Sequence, residues 1–197
     1  MKALPAPASA DGEDVRLMQL SGRGDMAAFE RLVERHQSLV IGTVGRMLGG
    51  GPEVEDIAQQ VFLRVWRHAA RYVPSAKFTT WLLKITRNLV FNELRRRRQR
   101  AFIPLHLEGE ESERPLPDAP HCAPDALLLE RELENAINDA ITQLPETQRM
   151  AVILRRYEER SYEEIGAILD HSIPAVKSLL FRARTELRER LAKHLNE

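Results

Sequence analysis

The chain has 197 residues, with 29 basic and 29 acidic side chains and no net charge, a length that suits one large domain or two small ones. With 43% hydrophobic, 29% charged and only 6% aromatic residues, the composition fits helical bundles rather than a β-rich fold. No apolar run approaches the roughly 20 residues of a membrane span, Met1–Gly12 lacks the pattern of a secretory signal, and a single cysteine, Cys122, excludes an internal disulfide framework and fits a cytoplasmic, reducing setting.

Residues 1–13, rich in Ala and Pro, read as a disordered tail. From there to Leu48, Leu17, Leu20, Phe29, Leu32, Val33, Leu39, Val40 and Val44 predict two helices broken near Ser21–Asp25. Gly49-Gly50-Gly51 stops the second. Pro52, followed by Glu53, Glu55 and Asp56 against the positive end of the dipole, starts a third that runs to about Arg71. Its inward face is Ile57, Val61 and Val65. Tyr72–Ser75 is a loop, and Phe78–Arg100 is a long helix. Residues 101–129 hold five prolines and no sustained period, and are expected to be a flexible linker reaching at most about 100 Å when extended. Helices resume over Glu130–Gln143 and Glu146–Glu159. The expectation is therefore an all-α chain of two small helical domains, 14–100 and 130–197.

The zero net charge hides segregation. Residues 25–100 carry 14 Lys and Arg against 7 Asp and Glu, residues 101–129 carry 1 against 6, and residues 171–197 carry 6 against 3. Nucleic-acid affinity follows local phosphate neutralisation rather than the total, so neutrality does not argue against a DNA partner.

Three stretches carry the chemistry. In 161–188, Ser161 with Glu164 forms a capping box, Ile165, Ile168 and Leu169 form an apolar stripe, and Asp170-His171-Ser172 breaks it. Ser172 is placed as the next N-cap, with Pro174 in the first turn. Val176, Leu180, Ala183 and Leu187 then point inward, leaving Lys177, Ser178, Phe181, Arg182 and Arg184 outward. This is a helix-turn-helix whose second helix offers the polar and cationic groups that a major groove admits; an ordinary hairpin with a solvated face has the same pattern.

In 72–100, Phe78, Trp81, Leu82, Ile85, Leu89 and Leu94 alternate with Lys77, Thr79, Thr80, Lys84, Arg87, Asn88 and Asn92. Aromatic groups beside hydroxyl, amide and cationic groups can hold unstacked bases, although residues such as Phe78 and Trp81 are more often core than base platforms. Arg95, Arg96, Arg97 and Arg98 cover every azimuth of a helix, which suits phosphates better than packing; a solvated helix end is the plain alternative. In 55–66, Asp56, Gln59, Gln60 and Leu63 form a polar face with one apolar anchor, the composition of a docking surface or of an amphipathic helix in solvent.

Taken in order, DIAQQVFLRVW, FTTWLLKITRN and the arginine run resemble region 2 of bacterial sigma factors. LPETQRMAVILRRYEERSYEEIGAIL with the following VKS and RAR resembles region 4. The resemblance spans about residues 14–192. A linker where larger sigma factors carry a further domain points to the extracytoplasmic-function (ECF) group of the sigma-70 family. It implies binding to core RNA polymerase through the β′ clamp helices (Asp56, Gln59, Gln60, Leu63) and the β flap. It implies −10 recognition and strand opening by Lys77, Thr79, Lys84, Asn88 and Asn92, with Arg95–Arg98 on phosphates. It implies −35 recognition by the helix carrying Ser172, Lys177, Ser178, Phe181, Arg182 and Arg184, and control by an anti-sigma factor. Leu179, Phe181 and Ala175 stand where the family often has arginine, histidine and threonine. A lost cation removes a bidentate contact of about 1–3 kcal/mol.

Nothing suggests an enzyme, cofactor or metal site. His36, His68, His106, His121, His171 and His194 are scattered, and His121-Cys122 lacks closed-site spacing. Gly49–Gly51 lacks the lysine of a phosphate loop. Two other functions fit parts of the pattern: a sigma-like decoy that binds an anti-sigma factor, and a helix-turn-helix repressor, which has no need of residues 55–66 or 78–92.

Overall fold

A computed structural model describes the backbone of residues 10–102 and 125–192, with side chains described for 11–100 and 133–192. Among these residues the fold is all helical: α1 (Ala10–Ser21), α2 (Met26–Leu48), α3 (Glu53–His68) with a 3-10 turn (Ala69–Arg71), α4 (Phe78–Phe102), α5 (Asp125–Thr142), α6 (Glu146–Arg156), α7 (Tyr162–Leu169) and α8 (Ile173–Leu191).

Local chemistry sets most boundaries. The Asp25 carboxylate accepts from the Ala28 N–H at 3.0 Å and starts α2. Gly49 ends it at φ 74°, and a Cβ there would stand 3.2 Å from Thr142 Cγ2, so conformation and close approach both favour glycine. Acids fill the first turn of α3, whose face Ile57, Ala58, Val61, Phe62 and Val65 is buried. Helix α4 begins through a distant partner: Asp11 Oδ1 accepts from the Phe78 N–H at 3.0 Å. The capping box forms as expected, Ser161 N–H donating to Glu164 at 2.9 Å and Glu164 N–H to Ser161 Oγ at 3.2 Å.

Four boundaries differ from the sequence expectation. Helix α1 starts at Ala10, so residues 10–13 are helical rather than tail, and Asp11 has its capping role to hold them. Helices α4 and α5 both enter the expected linker, α4 ending at Phe102 rather than Arg100 and α5 starting at Asp125 rather than Glu130; the rest of that linker, 103–124, lies outside the described residues. Helix α6 stops at Arg156 rather than Glu159, because Tyr157 N–H closes the last turn on Ile153 and Glu159 takes φ 52°.

Helices α1–α4 pack as one unit and α5–α8 as a second, and the units pack on each other: α4 lies on α7, and α2 on α5 and α6. One continuous apolar cluster runs through both, from Leu32, Val44 and Leu82 to Met150, Ile153, Ile165 and Leu180. Separate periodicities predict two bundles, and nothing in them encodes this mutual docking.

Candidate nucleic-acid and polymerase interfaces

Helix α8, the candidate reading helix, is held from behind and open in front. Val176, Leu180 and Ala183 are buried, so Lys177, Ser178, Arg182 and Arg184 face solvent, and Phe181 is 71% exposed. Ser172 is exposed and occupied as the N-cap, accepting from the Ala175 N–H at 3.4 Å. Arg182 donates to Ser178 Oγ at 3.2 Å, and Lys177 Nζ stands 5.9 Å from the Tyr162 ring centre. The turn between α7 and α8 is tight. His171 N–H donates to Gly166 O at 2.9 Å, and a Cβ on Gly166 would lie 2.7 Å from His171 O. Asp170 takes the left-handed conformation at φ 58°, which an Asp tolerates better than most residues.

The α3 face is equally open. Asp56, Gln59 and Gln60 are exposed and Leu63 is 54% exposed, all opposite the buried Ile57–Val61–Val65 stripe.

Helix α4 divides into covered and open parts. Phe78 is core, 1% exposed, and Trp81 is half-buried against Tyr72 and Phe78. Three candidate strand-binding residues on the first half meet the second unit. Lys77 pairs with Glu164 at 2.9 Å, Thr79 Oγ1 accepts from Arg160 at 3.1 Å, and Lys84 pairs with Asp170 at 2.6 Å. Arg87, not among the expected site residues, donates to the other Asp170 oxygen at 2.9 Å and to Ile168 O at 2.6 Å. Its spacing from Lys77 and Lys84 places it on their helix face, a signal readable from the sequence. Hydrogen bonds from Lys84 and then Arg87 hold the Asp170 carboxyl below the usual aspartate range. Burial pushes Glu164 up, but Lys77, the Ser161 N–H and Arg160 together bring it below its ordinary value.

The second half of α4 is more open. Asn88 and Asn92 are exposed, Asn88 Oδ1 accepting from Arg87. Arg95 is exposed and has no ion pair among the described residues. Its neighbours are less available than a bare arginine run implies. Arg96 pairs with Glu93 at 2.7 Å, Arg97 with Glu53 at 3.1 Å and Glu93 at 3.5 Å, and Arg98 with Glu146 at 2.6 Å. Glu93 is 8% exposed, and a carboxylate taken out of water attracts cations from the next turn.

Two further contacts join the units. Arg149 donates to Met47 O at 2.6 Å and Leu144 O at 3.2 Å, putting a cation on the negative end of α2. Glu158 accepts from Thr43 at 3.5 Å and lies 3.7 Å from Arg46, whose guanidinium sits 4.2 Å from the Tyr157 ring centre. Burial pushes the Glu158 carboxyl up despite Arg46, Arg160 and Thr43.

Among the described residues no helix is long and apolar enough to cross a membrane. No three His, Cys, Asp or Glu residues among them cluster as metal ligands.

Comparison with known proteins agrees with this division. The Sigma-70 region 2 family matches residues 32–100 and the Sigma-70 region 4 family matches residues 134–187. The RNA polymerase sigma-H factor of Pseudomonas aeruginosa is 31% identical, over 94% of this chain and 97% of its own. The ECF RNA polymerase sigma-E factor of Escherichia coli is 35% identical, over 87% of this chain and 90% of its own. In fold, the chain resembles CnrH, solved in complex with the cytosolic domain of CnrY (TM-score 0.66, 22% identity, 92% of this chain and 98% of that one). It also resembles the sigma factor RpoE of Bartonella quintana, solved with the anti-sigma factor NepR (TM-score 0.65, 22% identity, 83% of this chain and 96% of that one). Two regions in family order, and relatives matched along nearly their whole length, place this chain in the sigma-70 family of RNA polymerase sigma factors, within the ECF group.

Proposed function

We propose that this ECF sigma factor directs core RNA polymerase to promoters bearing −35 and −10 elements and helps to open the DNA there, the polymerase supplying the catalysis. In this reading α8 enters the −35 major groove with Lys177, Ser178, Phe181, Arg182 and Arg184, positioned by Ser172. Phe181, without a cation's bidentate reach, contributes apolar contact of the kind a thymine methyl accepts. The outer face of α3 (Asp56, Gln59, Gln60 and Leu63) docks on the β′ clamp helices. Between α5, α6 and α8 a groove of about 990 Å³, lined in part by Ile137, Ile141, Val152 and Leu187 together with Arg155 and Arg156, offers a mixed apolar and cationic surface to the β flap.

Helix α4 takes the −10 region, with Lys77, Thr79, Lys84, Asn88 and Asn92 toward the opened strand and Arg95–Arg98 toward its phosphates. Breaking duplex stacking costs roughly 1.4 kcal/mol per step. Each captured base returns about 1–3 kcal/mol, so one or two captures offset much of the opening. An anti-sigma factor is the expected regulatory partner, since both solved relatives above were captured with proteins of that kind or with a cytosolic domain of a partner.

The observation that carries this reading is the uncovered outer face of α8, mounted on a capped turn within a region 4 unit. The test is transcription from fragmented genomic DNA by core polymerase alone and with this protein. RNA starting at discrete positions only when the protein is added supports the reading, and its absence refutes it. Tight binding of the free chain to a palindromic duplex would instead mark a repressor.

A further inference from the structure

The cations on the first half of α4, counting Lys77 just before it, already have partners within the chain. Each of the three is matched by a group of the helix-turn-helix unit: Lys77 by Glu164 (2.9 Å), Lys84 by Asp170 (2.6 Å), and Arg87 by Asp170 (2.9 Å) and the Ile168 carbonyl (2.6 Å). The hydroxyl of Thr79 is taken by Arg160. Carboxylates at 2.6–2.9 Å from ammonium and guanidinium groups occupy the distances that phosphate oxygens would take. The reading helix on the same unit is left out of this contact, with its outer face exposed.

We propose that Asp170 and Glu164 act as an internal substitute for the promoter strand: they hold the chain closed with the first part of the −10 face (Lys77, Thr79 and Lys84) already engaged, while Asn88, Asn92 and the −35 face of α8 stay available. The inference rests on the reading of α4 as the strand-binding helix. Upstream DNA can engage the closed form, and strand capture requires the second unit to swing away, exchanging carboxylates for phosphates on the same cations.

Asp170 is the residue to change. It bridges Lys84 and Arg87, is exposed enough to substitute, and stands at a left-handed position where Asn is tolerated. Asp170→Asn thus removes the charge while keeping the backbone. When the competent form is a small fraction of the total, apparent affinity rises in proportion to that fraction. Loss of one partly exposed ion pair changes it by about two- to fivefold; Asp170 serves two cations, so the upper end is expected.

The experiment uses the full chain with Cys122→Ser and Thr43→Cys. Thr43 is fully buried and touches Glu158 of the second unit, so maleimide labelling at position 43 proceeds through opening and reports its frequency. Affinity is measured in parallel with a fluorescent mixed-sequence single-stranded 20-mer at low salt. Asp170→Asn is expected to raise the labelling rate and the oligonucleotide affinity together, by about fivefold. Lys84→Gln is expected to raise the labelling rate but lower the affinity, because it removes a phosphate contact as well as the latch. An unchanged labelling rate in Asp170→Asn overturns the latch. A faster rate without a gain in affinity leaves the latch in place and overturns the substitution of carboxylate for strand, together with the assignment of α4.

Discussion

Replacing Gly166 by Ala sets two opposing effects against each other on one methyl group. Glycine inside a helix costs about 1 kcal/mol relative to alanine, so propensity alone predicts that Gly166→Ala stabilises α7. The geometry predicts the reverse. The added Cβ would stand 2.7 Å from His171 O, a backbone atom, and 3.9 Å from Val176 Cγ2. Relief requires the turn to move outward by several tenths of an ångström. That turn is pinned by the His171 N–H bond to Gly166 O, by Asp170 at φ 58° and by the Ser172 cap of α8. Overpacking costs about 1–3 kcal/mol, and a 2.7 Å approach to a pinned backbone oxygen belongs in the upper part of that range, about 2–3 kcal/mol, so after the propensity gain a net loss of roughly 1–2 kcal/mol remains. At an m-value of about 1–3 kcal/mol/M, the urea midpoint followed by far-ultraviolet circular dichroism should fall by about 0.3–2 M. Because α8 is aimed by the same turn, −35-dependent transcription should fall further than stability alone dictates. A midpoint unchanged or raised would show that the turn yields freely and refute the packing argument.

Three other outcomes follow from the interfaces. Arg95→Ala should weaken DNA binding across sequences and reduce the slope of log affinity against log salt by about 0.7, the value for one phosphate of an opened strand, whereas Arg97→Ala should mainly lower the thermal midpoint, since Arg97 holds Glu53, Glu93 and the Leu48 carbonyl; salt titrations of both variants separate the roles. Leu63→Asp should cut retention on immobilised core polymerase while shifting stability by no more than about 0.5 kcal/mol, as an exposed side chain should, and undiminished retention would remove α3 from the docking surface. Burial raises Glu158, so its contribution to the closed form is full below the ordinary glutamate value of 4.5 and is lost as pH rises through the raised one, whereas Asp170, held low, contributes above 3.8 and loses its contribution as pH falls below it. Urea midpoints from pH 4 to 7 should therefore decline with pH less steeply in Glu158→Gln than in the parent chain, and parallel curves would place Glu158 outside the coupling.

What the sequence reveals about this chain is mostly local. Ser161 with Glu164, Ser172 with Pro174, and Gly49 after Leu48 mark helix ends because caps act within three or four residues. The apolar periods of α3 and α8 identify their outer faces for the same reason. The pairing of Lys84 with Asp170 spans 86 positions, and no periodicity encodes a contact between two surfaces that are both charged. Arg149 on the end of α2 and Asp11 at the start of α4 were hidden in the same way, each completing a helix from a distant part of the chain. The arginine run was legible as charge but not as partnership, since Glu53 and Glu146 reach it only after folding. Helix α4 therefore showed which residues it bears, while the half left open to solvent came only with the packing of α7.

The cover over α4 has an order in time. Translation delivers Lys77, Lys84 and Arg87 long before Glu164 and Asp170 are synthesised, so the growing chain passes through a stage at which these cations have no internal counterparts. A ribosome that stalls within 103–124 leaves a product fixed at that stage. Incomplete copies of this regulator should therefore cling to cellular RNA and DNA more readily than finished ones, a consequence of the order in which the two halves are made.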